Sequence, residues 1–213
     1  VSGSYLDDQD DENKGQPKYE KTRYLASWQH TQGLDERLLG KVDYTDISDP
    51  YYFQDLGTDL DVSSQTYVNQ QGVLTWRGDS YTAGLNVQSY ELASVTDITP
   101  YERLPQITLD GILPYQPGGV QLSYGTEYVS FQRNLDDYFF KGIASPDQDL
   151  TGLNRASGDR SHVQPGISLP MQTSWGYLTP SAKYLYTNYA LDLDNQGQST
   201  LPAGVQYDDN QNR

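Results

Sequence analysis

Ser80-Tyr81-Thr82-Ala83-Gly84-Leu85-Asn86-Val87-Gln88-Ser89 decides the fold of this chain. Tyr81, Ala83, Leu85 and Val87 make one face; Ser80, Thr82, Gly84, Asn86 and Gln88 make the other. A period of two without an error is a β-strand with one apolar and one wet side. The same reading extends outward. Leu34, Leu38, Gly40, Val42 and Tyr44 oppose Asp35, Arg37, Lys41 and Asp43, with Glu36 and Leu39 as exceptions. Ile107, Leu109, Gly111 and Leu113 oppose Gln106, Thr108 and Asp110. Val120, Leu122, Tyr124 and Tyr128 oppose Gln121, Ser123, Gly125 and Glu127. Tyr24, Ala26 and Trp28 oppose Arg23, Ser27 and Gln29, with Leu25 an exception. Noisier stretches at 66–77, 160–171 and 175–189 bring the expectation to one partial and eight fuller strands.

Length and spacing set the environment of these strands. They run about 10–13 residues, against roughly 5–6 in globular sheets and roughly 9–11 for a tilted membrane strand. Long connections fall near 7–19, 46–64, 92–102, 132–158 and 190–213. Short ones fall near Gln32-Gly33, Arg77-Gly78-Asp79, Gln116-Pro117-Gly118-Gly119 and Thr173-Ser174, so every second connection is long. An outer-membrane barrel has this asymmetry, with tight turns in the periplasm and long loops outside. The expected fold is all-β: an antiparallel transmembrane β-barrel segment, about nine strands of a larger barrel. Charge in mid-strand then faces a wet lumen. An antiparallel sheet with one solvated face is the plainer reading.

Composition agrees. The chain has 19 Tyr but 4 Phe, 1 Met and no Cys, and a net charge of −15. No apolar run approaches the roughly 18 residues of a membrane helix, and a barrel strand needs none. Trp76, Tyr81, Tyr115, Trp175 and Tyr177 lie near short turns; Tyr44, Tyr67, Tyr90, Tyr101, Tyr128 and Tyr189 lie near long loops. Two levels of aromatics suit two membrane interfaces. The long connections carry most of the acids but only Lys14, Lys18, Arg133, Lys141, Arg155 and Arg213 among the bases. Such loops repel phosphates, which argues against nucleic acid. Nine strands in lipid would leave edge groups unpaired, so further strands are expected from elsewhere. Residues 1–213 read as part of one barrel domain and an internal piece of a longer protein.

Signals for covalent chemistry are poor. Two histidines, His30 and His162, sit on different strands, and nothing resembles a nucleophile elbow or zinc-ligand spacing. No catalytic residue, cofactor or metal is expected. The acidic run Asp7-Asp8-Gln9-Asp10-Asp11-Glu12 lacks the glycine and spacing of a calcium loop. Pro105, Pro165, Pro170 and Pro180 fall in or beside strands, where proline cannot donate to the ladder. Pro165 and Pro170 together would cost one strand two hydrogen bonds. They mark either a softened wall or a bulge or rim position. The loop Asp46-Ile47-Ser48-Asp49-Pro50-Tyr51-Tyr52-Phe53-Gln54-Asp55 carries three consecutive aromatics after an Asp-Pro turn signal. Exposed, they would be a liability. Asp49, Pro50, Tyr51, Tyr52 and Phe53 are therefore candidates for a lumen-directed or partner-covered loop. A lid packing on neighbouring loops is the bland alternative.

Val42-Asp43-Tyr44-Thr45-Asp46-Ile47-Ser48-Asp49-Pro50-Tyr51-Tyr52-Phe53 resembles a stretch of the barrel of the LptD family of lipopolysaccharide-assembly proteins. So do Gly3-Ser4-Tyr5-Leu6-Asp7 and Gln164-Pro165-Gly166-Ile167-Ser168-Leu169-Pro170, followed by Ser174-Trp175-Gly176. The resemblance spans nearly the whole chain through short blocks with divergent loops between them. It implies a very large barrel in the outer membrane of a Gram-negative bacterium. It also implies the lipoprotein LptE as a lumen plug, lipopolysaccharide as cargo, and a periplasmic Lpt bridge docking on a jellyroll domain outside this chain. The loop from Asp49 to Phe53 would approach the plug. Rival readings are a porin or ligand-gated uptake barrel, an outer-membrane enzyme, and a soluble glycan-binding β-sandwich.

Overall fold

A computed structural model describes residues 1–7, 21–56, 66–93, 100–133, 151–205, 207 and 210–212. It is almost entirely antiparallel sheet. The strands are β1 (Ser2–Asp7), β2 (Thr22–Gln32), β3 (Leu38–Ile47), β4 (Tyr67–Arg77), β5 (Tyr81–Leu92), β6 (Glu102–Ile112) and β7 (Gln121–Gln132). There follow β8 (Ser157–Val163), β9 (Gly166–Ser168), β10 (Met171–Thr173), β11 (Gly176–Leu178), β12 (Ser181–Lys183), β13 (Tyr186–Asp192) and β14 (Asn210–Asn212). Strands β1 to β8 pair in chain order, then β13 and β14, in a sheet that does not close on itself. No helix among the described residues is long and apolar enough to cross a membrane, which says nothing of a barrel.

Register fixes two faces, because partners in an antiparallel ladder point the same way. Trp28 lies opposite Tyr44, Leu74 opposite Leu85, Leu85 opposite Ile107 and Ile107 opposite Tyr128. This is the apolar face, and Trp28, Tyr44, Leu74, Leu85, Ile107 and Tyr128 are exposed on it. Gln29 lies opposite Asp43, Asn86 opposite Gln106 and Glu127 opposite His162 on the other, charge-bearing face. The residues near the long connections are divided. Tyr44 and Tyr128 belong to the apolar face, whereas Tyr67 and Tyr90 share the parity of Asn69 and Gln88 and meet edge to face at 5.2 Å. Strand parity, not height, decides which tyrosines join the apolar band.

Two expectations shift. The strand expected from Leu34 begins at Leu38, because 33–37 is a turn in which Glu36 N donates to Gly33 O. Gly33 sits at φ 79°, and a Cβ there would lie 2.0 Å from the Leu38 carbonyl oxygen. The two noisy strands at 160–171 and 175–189 form one long hairpin cut into short pieces. Its offset holds from Ser157 opposite Asp192, through Gly166 opposite Lys183, to Thr173 opposite Gly176.

Prolines make the cuts. Tyr184 N donates to Pro165 O, and Leu169 N donates to Pro180 O, each at 3.0 Å. Neither proline has an N–H to return, so each pair keeps one bond of two. Pro170 follows Leu169, so its ring nitrogen points away from the hairpin partner. There the neighbouring strand has ended, since β7 begins at Gln121. The second lost bond therefore belongs to Pro180, not Pro170. Pro105 lies in a bulge: β6 shifts register between Arg103 and Gln106 against β7.

Candidate functional site

Asp46–Leu56 folds back over the end of the sheet, packing on Leu25 of the charge-bearing face and on Val68, which has the parity of the apolar face. Asp49 starts the bend. Its Oδ1 accepts from Tyr51 N at 3.0 Å and its Oδ2 from Ser48 Oγ at 2.7 Å. This is how aspartate mimics a backbone turn, and Pro50 presets the next φ. One helical turn, Tyr52–Leu56, follows. Ile47, Phe53, Val68 and Ala93 bury one another, with Leu25 and Tyr52 packed against them. Leu25, the exception in the β2 pattern, lies opposite Ile47 and so belongs under this loop.

Charge locks the bend. Arg23 Nε and Nη2 donate to Asp49 at 3.1 and 3.0 Å, and Nη1 donates to Asp55 at 2.8 Å. The Arg23 and Asp49 side chains are 1% and 0% exposed. A buried pair gains from such bidentate geometry but is costly to break, since either partner alone is a bare charge out of water. The Tyr52 hydroxyl hydrogen-bonds Ser4 Oγ, and Arg23 lies 5.9 Å from the Tyr52 ring centre. Ser4 is opposite Leu25, which places Tyr52 over the same face. Tyr51 and Phe53 are buried and Tyr52 half-buried. Burial, then Asp49 and Asp55, push the Tyr51 hydroxyl above its usual pKa. That hydroxyl has no hydrogen-bond partner among the described residues.

Below the loop, side chains of the same face join in rows. Asp43 accepts from Gln29 at 2.9 Å and from Asn69 at 3.4 Å, and Gln88 donates to Asn69 at 2.9 Å. A second row runs from Gln71 to Asn86 at 2.9 Å, Asn86 to Gln106 at 3.0 Å and Gln106 to Glu127 at 2.6 Å. Arg160 closes it on Glu127 at 2.7 Å. Alternation assigns Gln29, Asp43, Asn86, Gln88, Gln106 and Glu127 to the wet face, whereas Asn69, Gln71 and Arg160 fall in the noisier stretches. The signal for the rows is a short one: Asn69 and Gln71 in β4, and Asn86 and Gln88 in β5, are each two residues apart.

Other candidates stay apart. His30 shares the apolar face with Trp28, its ring centre 6.4 Å away, while His162 Nδ1 is 2.8 Å from Thr187 Oγ1 on the opposite face. Among the described residues no cluster of His, Asp and Glu converges as a metal site. Of the acidic run 7–12, only Asp7 lies within the described residues.

The structure defines the class: an all-β protein built on a two-faced antiparallel sheet, apolar on one side and lined with hydrogen-bonded amides on the other. The profile of the LptD family, described as "LPS transport system D", matches residues 21–213. The chain belongs to that family. It is 57% identical to the LPS-assembly protein LptD of Ectopseudomonas mendocina, over 100% of this chain and 24% of that protein. The match to LptD of Pseudomonas aeruginosa strain UCBPP-PA14 is also 57%, with the same coverage. That of Pseudomonas putida strain GB-1 is 52% identical over 99% of this chain and 25% of its own length. The chain thus spans about a quarter of the relatives it matches.

Proposed function

We propose that this chain is a block of strands in an outer-membrane barrel that inserts lipopolysaccharide into the outer leaflet around a lipoprotein plug. Membership of the LptD family, whose relatives carry the name LPS-assembly protein, is the observation that carries this reading. The whole of 1–213 belongs to one barrel domain in it, with the apolar face toward lipid and the amide rows toward the lumen. A sugar-bearing cargo suits a wall of amides and carboxylates already bonded to one another, since passing groups exchange with water without exposing a bare charge. The role is a scaffold without covalent chemistry. Pro165 and Pro180, and Pro170 where the β7 neighbour ends, soften the wall in the β8–β13 hairpin.

The aromatic loop would meet the plug through Tyr52, its half-buried member. Phe53 is already spent on the chain's own core, so its loss loosens the loop as a whole. The test is co-purification of the full-length protein with its lipoprotein. Tyr52→Ala should weaken plug retention while the barrel still migrates as a folded, heat-modifiable species. Unchanged retention would count against the contact. A plug-free barrel that conducts small ions would instead favour a porin.

A further inference from the structure

We propose that the apolar face of β3 and β4 holds one phospholipid. Its acyl chain lies over Gly40, and its zwitterionic, amine-bearing headgroup sits at Glu36 and Arg37. The inference rests on the barrel reading above. Gly40 lies opposite Leu74, and Gly72 opposite Val42 and Val87. A Cβ at either glycine would meet nothing within 4 Å. Adjacent strands thus leave two gaps on a face that also carries Leu38, Val42, Tyr44, Leu74, Trp76 and Leu85. Around Gly40 a groove of 630 Å³ opens, rimmed by Leu38, Leu74 and Trp76, all exposed. Toward the short turn its lining changes to Gln32, Glu36 and Arg37. Trp76 Nε1 donates to Tyr81 OH at 3.1 Å, placing an aromatic pair where apolar lining gives way to charge.

The charged end selects the occupant. Arg37 is 59% exposed and, among the described residues, forms an ion pair with the still more exposed Asp79, at 2.6 Å. A surface pair of this kind is worth little and yields readily to a phosphate. Glu36 beside it offers a carboxylate. Opposite charges side by side match a phosphate and an ammonium on one headgroup better than an anionic headgroup. The turn is already set: Arg77 Nη1 donates to Leu34 O at 2.7 Å, and Arg77 N donates to Arg37 O. An acyl chain gains nothing hydrophobic by leaving surrounding lipid, so retention comes from close packing in the gap and from the headgroup.

The experiment uses the full-length protein with its lipoprotein partner. It is reconstituted with equal dioleoyl phosphatidylethanolamine and dioleoyl phosphatidylglycerol, moved to detergent, and its retained lipid counted by mass spectrometry. Wild type should keep one phosphatidylethanolamine that Gly40→Leu lacks, with a roughly threefold to tenfold preference over phosphatidylglycerol. Gly40→Leu fills open space, and heat-modifiable migration checks that it folds. If it does not, Glu36→Gln with Arg37→Gln on the turn carries the test, and should abolish the preference. Equal retention by wild type and the folded variant overturns the site. A preference for phosphatidylglycerol overturns the headgroup assignment. Photo-crosslinking from position 40 to protein in place of lipid also overturns it. A protein soluble without detergent would overturn the barrel reading itself, a different result from a folded barrel that retains no lipid.

Discussion

Arg23 and Arg155 each pin a short helix near the long-connection end of the sheet, in opposite surroundings. Arg23 holds Asp49, and neither side chain reaches water. Arg155, 6% exposed, holds Asp194, whose side chain is 42% exposed and also caps the helix Asn195–Ser199 by accepting from Gly197 N at 2.7 Å. The first latch closes a bend of aromatics over the end of the sheet. The second joins the turn Gly152–Arg155 to the segment after β13. Arg23 also reaches Asp55, but the larger difference lies in what remains when a partner is lost. A buried aspartate left alone keeps a bare charge, whereas an exposed one turns to water.

The largest effect should therefore come from Arg23→Ala. It strands Asp49 and should cost roughly 3–5 kcal/mol, read by urea unfolding of the full-length protein in lipid vesicles and by amide exchange across 48–56. A cost below about 1 kcal/mol would put this latch in the class of surface pairs and erase the contrast. Phe53→Ala should cost about 3 kcal/mol, the lower range for deleting a buried phenylalanine. It should raise exchange over the same residues as Arg23→Ala. If the two variants open different segments, charge and packing are holding separate structures.

Acid and alkali separate the two latches. Arg155 first, then Gly197 N–H, hold the Asp194 carboxyl down at about 2, from a usual 3.8. Its folded pKa lies below the unfolded value, so its contribution is fully present above pH 3.8 and lost as pH falls toward about 2. Tyr51 runs the other way. Burial, with Asp49 and Asp55, raises its pKa above 10.0, so its contribution holds below that pH and drains as pH rises past it. Exchange at Gly197 should quicken toward pH 2 and exchange around Tyr51 above pH 10. One common threshold would mean a global transition and would break the comparison.

The strand pattern was legible because alternation is a local property. Ser80–Ser89 carries it without error, and β5 (Tyr81–Leu92) follows. Its exceptions carried information of another kind. Leu25 broke the pattern because it packs under a loop more than twenty residues further on, and no local period encodes that contact. Glu36 broke it because Gly33 starts a turn there. The aromatic loop stood out by composition, but its Arg23 latch did not. Any of several arginines could have met Asp49, and only the pairing of β2 with β3 brings Arg23 to it. Pro170 was singled out by proximity to Pro165, whereas hydrogen-bond direction, a matter of pairing, gives that place to Pro180.

The smallest change in stability should come from the hairpins. The β4–β5 pairing runs unbroken from Tyr67 opposite Leu92 to Arg77 opposite Thr82. The β8–β13 hairpin keeps as constant an offset across two prolines. The ladder bonds that remain on either side of each proline, and the turn at Thr173–Gly176, keep the register. Replacing Pro165 and Pro180 together by alanine returns two N–H donors, each worth about 1 kcal/mol. It also frees the unfolded chain, at about 0.4–1 kcal/mol for each proline removed. The terms nearly cancel, so the unfolding midpoint should barely move. Local opening is another matter, because a restored pair must break two bonds instead of one. Amide exchange at Tyr184 and Leu169 should slow while that of β4 and β5 stays as it was. If wall softening serves cargo passage, the same double variant should slow lipopolysaccharide assembly at unchanged stability. Normal assembly alongside slowed exchange would make the prolines a feature of the hairpin alone.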